Sequence, residues 1–333
     1  MAGCVRRPGS PALAKDYVVT VRGLIAAEDL GFTLPHEHVF VTRADLPSQD
    51  MTDPEVAVRE LSLYSAAGGR SLVVLSPIGK SRNPAALRSI SERTGLNIVM
   101  ATGFFKDKFM PPGTHDRSVE DMAALFVREI EEGVDGTGIR AGIIGEIGLS
   151  SDRQETKTGR TATEERVLRA AAHAQRMTGA GINLHFDIGG DLAERESALD
   201  ILADAGADLK RVALSHFQPN REQIPHFHRI AERGCFVEFD LFGLVKVIKR
   251  LLPEDEVMFG VIRRLVAEGL SSHLLLSQDV CFKACLVENG GFGYAHIQRN
   301  ILPKLKSLGV DDKAIHTMTV ENPRRLLAIQ RTY

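Results

Sequence analysis

The stretch AGIIGEIG, residues 141–148, is a short apolar run interrupted only by glycines and one glutamate. Short, nearly continuous apolar runs are typical of β-strands that are buried on both faces of a parallel sheet. Seven other segments, with cores such as SLVVLSP and RVALSH, have the same character and are also predicted as strands. The eight predicted strands are residues 31–38, 71–77, 96–102, 141–147, 181–186, 211–216, 235–240 and 273–279.

The segments between these runs have the residue pattern of amphipathic helices. Two of them begin with a pair that favours a capping box, Ser118 with Asp121 and Thr161 with Glu164. The predicted helices are residues 53–69, 117–133, 161–181, 191–206, 219–233, 255–269 and 294–308.

Buried strands that alternate with helices indicate parallel pairing through right-handed crossovers. An open doubly wound sheet is the alternative, but no G-x-G-x-x-G motif follows an early strand. The sequence therefore predicts an α/β protein with a (β/α)8 TIM barrel, whose functional site lies at the C-terminal ends of the strands. Residues 1–16 are expected to form a flexible leader, and residues 17–333 a single barrel domain.

Composition excludes several classes of partner. The chain has 41 Lys and Arg against 43 Asp and Glu, a net charge of −2, which gives no electrostatic reason to expect nucleic acid or an anionic membrane. Four cysteines in 333 residues are too sparse for a disulfide framework. No signal peptide or bilayer-spanning stretch is evident, so we expect a cytoplasmic protein that acts on a small molecule.

Ligand-type side chains stand at the ends of five predicted strands. The stretch TLPHEHVF, residues 33–40, spaces two histidines for the same face of a strand. Glu37 between them is expected to point outward and to be replaceable with little loss of metal. Any one such residue is readily explained as a structural histidine or a helix cap, but the whole set is harder to explain in that way. The residues are His36, His38, Glu146, His185, His216 and Asp279.

Histidine and carboxylate ligands suit zinc, manganese, iron or cobalt rather than calcium. Six ligands exceed the three of a typical mononuclear zinc site and suit two metals about 3.5–4 Å apart. We expect Glu146 to bridge the two ions together with a hydroxide, which attacks a carbonyl or phosphoryl centre. Asp279 is expected to hold that hydroxide and to pass its proton to the leaving group.

Taken together, these residues resemble the phosphotriesterase-like branch of the amidohydrolase superfamily. The matching stretches run from about residue 17 to the C-terminus and include TLPHEHVF, AGIIGEIG, INLHF, ALSHF, LLLSQD, ENGGFGYAHI and VENP. The resemblance implies a binuclear centre in a distorted (β/α)8 barrel, and a homodimer. Glu146 stands where many members have a carbamylated lysine, as in the glutamate-bridged subgroup of phosphotriesterase homology and phosphotriesterase-related proteins.

By this resemblance, His36, His38 and Asp279 hold the more buried metal, and His185 and His216 hold the more exposed one. The family hydrolyses phosphotriesters, lactones and an N-acetylated amino sulfonate. From this we expect a lactonase or carboxylic ester hydrolase. The alternatives are an amide hydrolase for N-acyl amino acids, a phosphotriesterase and, from another class, a binding protein without turnover.

Substrate contacts are expected from the loops at the rim of the barrel. Phe105 stands where lactonase members carry a tyrosine, and a phenyl ring cannot donate the tyrosine's hydrogen bond. Arg82 matches a stretch of the glutamate-bridged subgroup. Basic residues in these loops could select an anionic substrate, although exposed lysines are usually only solvated. The basic rim residues are Lys80, Arg82, Lys106 and Lys108, of which Arg82 and Lys106, together with Phe105, are the candidate substrate-binding residues.

Overall fold

Eight parallel strands form the centre of the fold in the computed structural model, which describes residues 16–150, 159–188, 192–217, 224–244 and 255–330. Each strand pairs with the next one along the chain, which confirms the predicted (β/α)8 barrel. The eight strands are β3 (Thr33–Glu37), β4 (Ser71–Val74), β5 (Asn97–Thr102), β6 (Ile143–Leu149), β7 (Gly181–Phe186), β8 (Val212–Leu214), β9 (Phe236–Phe239) and β10 (Leu274–Leu276).

A small antiparallel sheet precedes and follows the barrel in the chain. It consists of β1 (Asp16–Thr20), β2 (Gly23–Ala26) and β11 (Ile329–Gln330), in the order β11-β1-β2. This sheet was not predicted from the sequence; its β1–β11 pairing joins segments at opposite ends of the described chain, whereas β1 and β2 form a local hairpin. Of the predicted leader, residues 1–16, only Asp16 lies within the described part of the chain, and it belongs to β1.

The helices return the chain from each strand to the next, and both predicted capping boxes are present, at α3 (Val119–Glu131) and α4 (Ala162–Thr178). Helix α2 (Pro84–Thr94) was not predicted, although Asn83 caps it and Gly95 follows it in the left-handed conformation. Among the described helices, none has the length and apolar character needed to cross a bilayer. The helices are α1 (Pro54–Ala66), α2 (Pro84–Thr94), α3 (Val119–Glu131), α4 (Ala162–Thr178), α5 (Leu192–Asp204), α6 (Ile224–Glu232), α7 (Asp255–Ala267), α8 (Leu302–Ser307), α9 (Asp312–His316) and α10 (Asn322–Leu327).

Alternate residues of the strands belong to two separate apolar clusters. Val73, Val99 and Leu275 belong to a small cluster that also contains Val18 of β1 and Leu326 of α10. The residues between them belong to a larger cluster that includes the apolar faces of the helices. This alternation explains the continuous apolar runs, because both faces of each strand are buried. Most polar side chains on the strands are therefore expected near the strand ends.

The first and last barrel strands are joined through side chains. The buried Glu37 carboxylate accepts hydrogen bonds from the Ser277 hydroxyl at 2.8 Å, the Gln278 N–H at 3.0 Å and the Val280 N–H at 2.9 Å. The Asp279 N–H donates to the His36 carbonyl at 3.2 Å. The Glu37 side chain faces away from the histidines, but it is fully enclosed and fastens the turn that carries Asp279. That its replacement costs little metal stays a prediction.

Arg82 lies in a buried ion pair behind the barrel rim. Its guanidinium donates to both oxygens of Glu129 in α3, at 2.7 and 2.9 Å, and it also contacts Asp135. The Thr102 hydroxyl donates to the same Glu129 carboxylate at 2.6 Å. Both side chains of the pair are almost completely buried. The structure therefore gives Arg82 a structural contact that joins the loop after β4 to β5 and α3.

We predict that Arg82→Met will lower the free energy of unfolding by about 3–5 kcal/mol, because it leaves the buried Glu129 carboxylate without its cation. Urea denaturation measures this effect. The double variant Arg82→Met/Glu129→Met should recover most of the loss, since no buried charge remains. A double variant as unstable as the single one would rule out the unpaired carboxylate as the cause.

We predict that Glu37→Gln will destabilise the protein by about 1–3 kcal/mol, because an amide cannot accept at both positions and leaves a buried N–H unpaired. The exposed Glu92→Gln in α2 is the matched control. Hydrogen exchange at the Gln278 and Val280 amides should accelerate in the first variant only. Unchanged exchange at both amides would show that Glu37 does not fasten this turn.

Candidate metal centre and active site

The six ligand-type residues predicted from the strand ends meet at one end of the barrel. His36, Glu146 and His185 lie within β3, β6 and β7, and His38 directly follows β3. His216 and Asp279 lie just beyond β8 and β10. Five of the six are buried and His185 is nearly so, although each is ionisable.

Among the described residues, three groups of ligand-type side chains share His36, and two of them consist only of residues predicted as ligands. His38 Nε2 lies 3.2 Å from Asp279 Oδ1, and His36 Nε2 lies 3.9 Å from the same oxygen. These three residues form one group whose ligand atoms all lie within 4.8 Å of one another, and His36, Glu146 and His216 form another. The shared ring places the two groups side by side.

The Glu146 carboxylate lies between histidines of different strands. Its Oε1 is 3.6 Å from His38 Nε2, and its Oε2 is 2.5 Å from His185 Nδ1. His185 Nδ1 is in turn 3.0 Å from His216 Nε2. The carboxylate therefore lies between His38 of the first group and the His185–His216 pair, which is the position that a bridging ligand requires.

Local backbone irregularities aim these side chains inward. The strand register shifts between Leu34 and Glu37 in β3, and again between Ile144 and Ile147 in β6, so His36 and Glu146 lie within irregular segments. His216 and Asp279 have positive φ angles of 54° and 48°, which residues other than glycine seldom adopt. Such strain is usually found where the surrounding structure fixes a functional side chain.

Carboxylates behind the cluster orient two of the rings. Asp240 lies 3.0 Å from His36 Nδ1 and 3.2 Å from His216 Nδ1, and Glu238 lies 3.1 Å from His36 Nδ1. Metal-binding histidines generally give their second ring nitrogen to such a partner. The sequence analysis missed this role, although FVEFD (236–240) places two acids at strand spacing within an apolar run.

Arg195 of α5 fixes the strained end of β8. Its guanidinium donates to the Ser215 carbonyl at 2.7 Å and to the His216 carbonyl at 2.9 Å. The same group lies against the rings of Phe186 and Phe217. Burial lowers the pKa of Arg195 to about 10, which still leaves it charged at neutral pH. This contact helps to hold His216 in its unusual backbone conformation.

The electrostatics of the cluster favour carboxylates in the charged form. Burial alone raises the pKa of Glu146, but the neighbouring imidazoles, His185 foremost, outweigh it and lower that pKa below its usual range. Burial likewise raises and the histidines lower the pKa of Asp279, with a net decrease. Burial lowers the pKa of His185 to about 4, so its ring is neutral at pH 7. Anionic carboxylates and a neutral imidazole are the forms that bind metal ions.

Three buried side-chain atoms at the centre of the cluster lie close to other polar atoms but form no hydrogen bond with any residue in the described part of the chain. These atoms are His36 Nε2, Glu146 Oε2 and Asp279 Oδ1. Buried polar atoms are nearly always paired, so their convergence needs an explanation. A divalent cation would satisfy all three, and nitrogen and carboxylate donors suit first-row metals. The residues therefore fit the metal centre expected from the sequence.

A cavity of about 280 Å³ opens beside the cluster, and Glu146, His185 and Asp279 line it. Phe105 and Lys106 lie on its wall, as the sequence analysis expected of substrate contacts, whereas Arg82 does not. Arg43 lines the cavity and was missed, because the sequence gives no sign that it reaches this place. A larger cavity of about 740 Å³ beside α6 and α7 contains none of the six residues.

Comparisons with known proteins agree with this geometry. The chain is 31% identical to the human N-acetyltaurine hydrolase, over 94% of this chain and 98% of the relative. A resiniferatoxin-binding protein from Rhodobacter sphaeroides superposes with a TM-score of 0.84 at 34% identity, covering 93% of this chain and 94% of that one.

A third similar protein comes from work on engineering organophosphate hydrolysis activity from a weak promiscuous lactonase template. It superposes with a TM-score of 0.79 at 31% identity and covers 93% of this chain and 99% of the other. The family model described as "Phosphotriesterase family" matches residues 16–327. The chain therefore belongs to the phosphotriesterase family and is a hydrolase.

Proposed function

We propose that this hydrolase cleaves an acyl bond of a small molecule at a binuclear metal centre. The observation that carries this proposal is the convergence of six ligand-type side chains, with unpaired atoms facing one another, beside a small cavity. The cavity of about 280 Å³ suits a small metabolite rather than a polymer. The metals are zinc, or manganese, cobalt or iron, since this donor set accepts each of them.

His36, His38 and Asp279 would hold one ion, and His185 and His216 the other, with Glu146 between the two. When bound, the ions would supply hydroxide at neutral pH and polarise the oxygen of the scissile group. Asp240 keeps the His36 and His216 rings oriented by holding their Nδ1 atoms. Ser76 does the same for His38, at 3.0 Å.

Asp279 is the proposed proton carrier. It lies at the cavity wall, and its lowered pKa keeps it in the anionic form, which can accept a proton during attack on the carbonyl carbon. It can then deliver that proton to the departing nitrogen or oxygen. The Phe105 ring packs edge-on against His185, with the ring centres 4.7 Å apart, and gives the acyl group an apolar wall.

An amide of an N-acylated amino sulfonate or amino acid is the first candidate substrate. The support is the 31% identity with an N-acetyltaurine hydrolase over nearly the whole of both chains. A lactone, the first expectation from the sequence, is the second candidate. It is supported by the 31% identity with the protein derived from a lactonase template. The phenyl ring of Phe105 supports the amide over the lactone, because it lacks the hydroxyl of the lactonase tyrosine.

We predict that the protein, dialysed against zinc, will retain two equivalents of metal, and that His216→Asn will retain about one. The reason is that His216 belongs to only one of the two ligand sets. Elemental analysis measures both values, with His228→Asn, a surface histidine paired with Glu268, as the control. Two equivalents in the His216 variant would contradict the ligand assignment.

We predict that the zinc- or manganese-loaded protein will hydrolyse N-acetyltaurine or an N-acyl amino acid, and that Asp279→Asn will abolish turnover while leaving most of the metal bound. Amine release and proton release should be measured across a panel that includes lactones. Hydrolysis of lactones alone would select the second candidate. A metal-loaded protein inactive on the entire panel would refute both.

A further inference from the structure

We propose that Arg43 and Lys80 form an anion-binding subsite in the catalytic cavity, which holds a sulfonate or carboxylate group of the substrate. This inference rests on the proposed function, because the subsite would anchor one end of a molecule whose acyl bond lies at the ligand cluster. The subsite would recognise the anionic end of the substrate, whether the bond that is cleaved is an amide or a lactone.

The two cations are distinguished from the other basic residues of the cavity by their contacts. Lys106 already pairs with Asp187, and Lys108 is exposed to solvent. Within the described residues, neither Lys80 nor Arg43 has a carboxylate within ion-pair distance of its charged group. Lys80 and Arg43 are therefore the half-buried cations of the cavity whose charge is available to a ligand.

Aromatic rings hold both cationic groups without using their N–H donors. Lys80 Nζ lies 4.5 Å from the ring centre of Phe105 and 4.2 Å from that of Phe109. The Arg43 guanidinium carbon lies 3.9 Å from the ring centre of Phe282. The buried Arg43 Nε makes no hydrogen bond to any described residue. Stacking on aromatic faces restricts the cations while leaving their donors free for anionic oxygens.

Hydrogen bonds between two loops bring the cations to the same wall. The Thr42 N–H donates to the Ser81 hydroxyl at 3.0 Å, and the two hydroxyl oxygens are 2.7 Å apart. Thr42 precedes Arg43 and Ser81 follows Lys80, so this contact fastens the neighbouring residues of both loops. Burial lowers the pKa of Lys80, the Glu146 carboxylate raises it, and the charges of Arg43 and Lys106 lower it, with a net decrease. An anion between the two cations would relieve that repulsion.

The distance from the subsite to the ligand cluster suits a small substrate. Since Lys80 Nζ lies 4.5 Å from the Phe105 ring centre and that centre lies 4.7 Å from the His185 ring centre, the ammonium is within about 9 Å of the His185 ring. In an N-acylated amino sulfonate, four bonds of about 1.5 Å separate the carbonyl carbon from sulfur, an extended length of about 5 Å. With a hydrogen bond at the anionic end, such a molecule can reach both places.

We predict that Lys80→Met and Arg43→Met will each weaken binding of ethanesulfonate to the zinc-loaded protein by at least about tenfold, because each removes a charge-assisted hydrogen bond. Titration calorimetry at low salt measures this, and propionate tests the carboxylate. Lys304→Met, an exposed lysine of α8, controls for the lost positive charge. Lys80→Gln serves as a second variant should the methionine variant fail to fold.

Kinetics provide the second measurement. For N-acetyltaurine, KM should rise in both variants with little change in kcat, whereas the neutral analogue N-ethylacetamide should be unaffected. Ethanesulfonate binding that is absent, or equal in all variants, would overturn the subsite. Binding that depends on Arg43 and Lys80 without hydrolysis of any acyl substrate would support the subsite while refuting the proposed function.

Discussion

The hydrogen bonds of the Glu37 carboxylate join the two ends of the barrel and hold the catalytic turn. Glu37 lies between two histidines of the cluster in sequence, but it faces the opposite side of the strand and accepts from the Ser277 hydroxyl and the Val280 N–H. The Tyr294 hydroxyl donates to the His38 carbonyl at 2.6 Å, and the Gln278 amide donates to the Tyr294 carbonyl at 3.0 Å. One strand thus presents ligands on its inner face and structural contacts on its outer face.

The second constraint is the balance of charge inside the barrel. The carboxylates of Glu146, Asp240 and Asp279 are buried close to the histidines of the cluster. Burying a carboxylate without a positive charge beside it is unfavourable. The imidazoles supply part of this positive charge. Burial lowers the pKa of His36, but Asp240 and Glu238 raise it well above its usual value. Divalent cations, when bound, would meet the demand more fully, because they would also pair the ligand atoms that have no hydrogen bond. The acids behind the rings therefore serve both orientation and charge.

The cavity combines this centre with a wall of different chemistry. Phe105 contacts His185 on one side and the Lys80 ammonium on the other, so a single ring connects the proposed reaction site to the proposed anion subsite. Phe105, which stands where lactonase members carry a tyrosine, thus contacts both the proposed reaction site and the proposed anion subsite. Selectivity would arise from the two cations, and reactivity from the ligand cluster. The separation of these roles explains how one barrel scaffold accommodates different acyl substrates.

The sequence by itself determined the barrel and the six ligand-type positions. Both are local patterns: continuous apolar runs mark strands buried on both faces, and polar residues at their ends mark the rim. Capping boxes at Ser118 and Thr161 were equally readable, because a cap depends on residues three apart. What only the tertiary structure decided are contacts between distant segments. Such contacts join residues that are dozens to hundreds of positions apart: Glu37 with Val280, Asp240 with His36, Arg82 with Glu129, and Arg43 near Lys80. The directions of these side chains also depend on bulges and strained turns that no local pattern records.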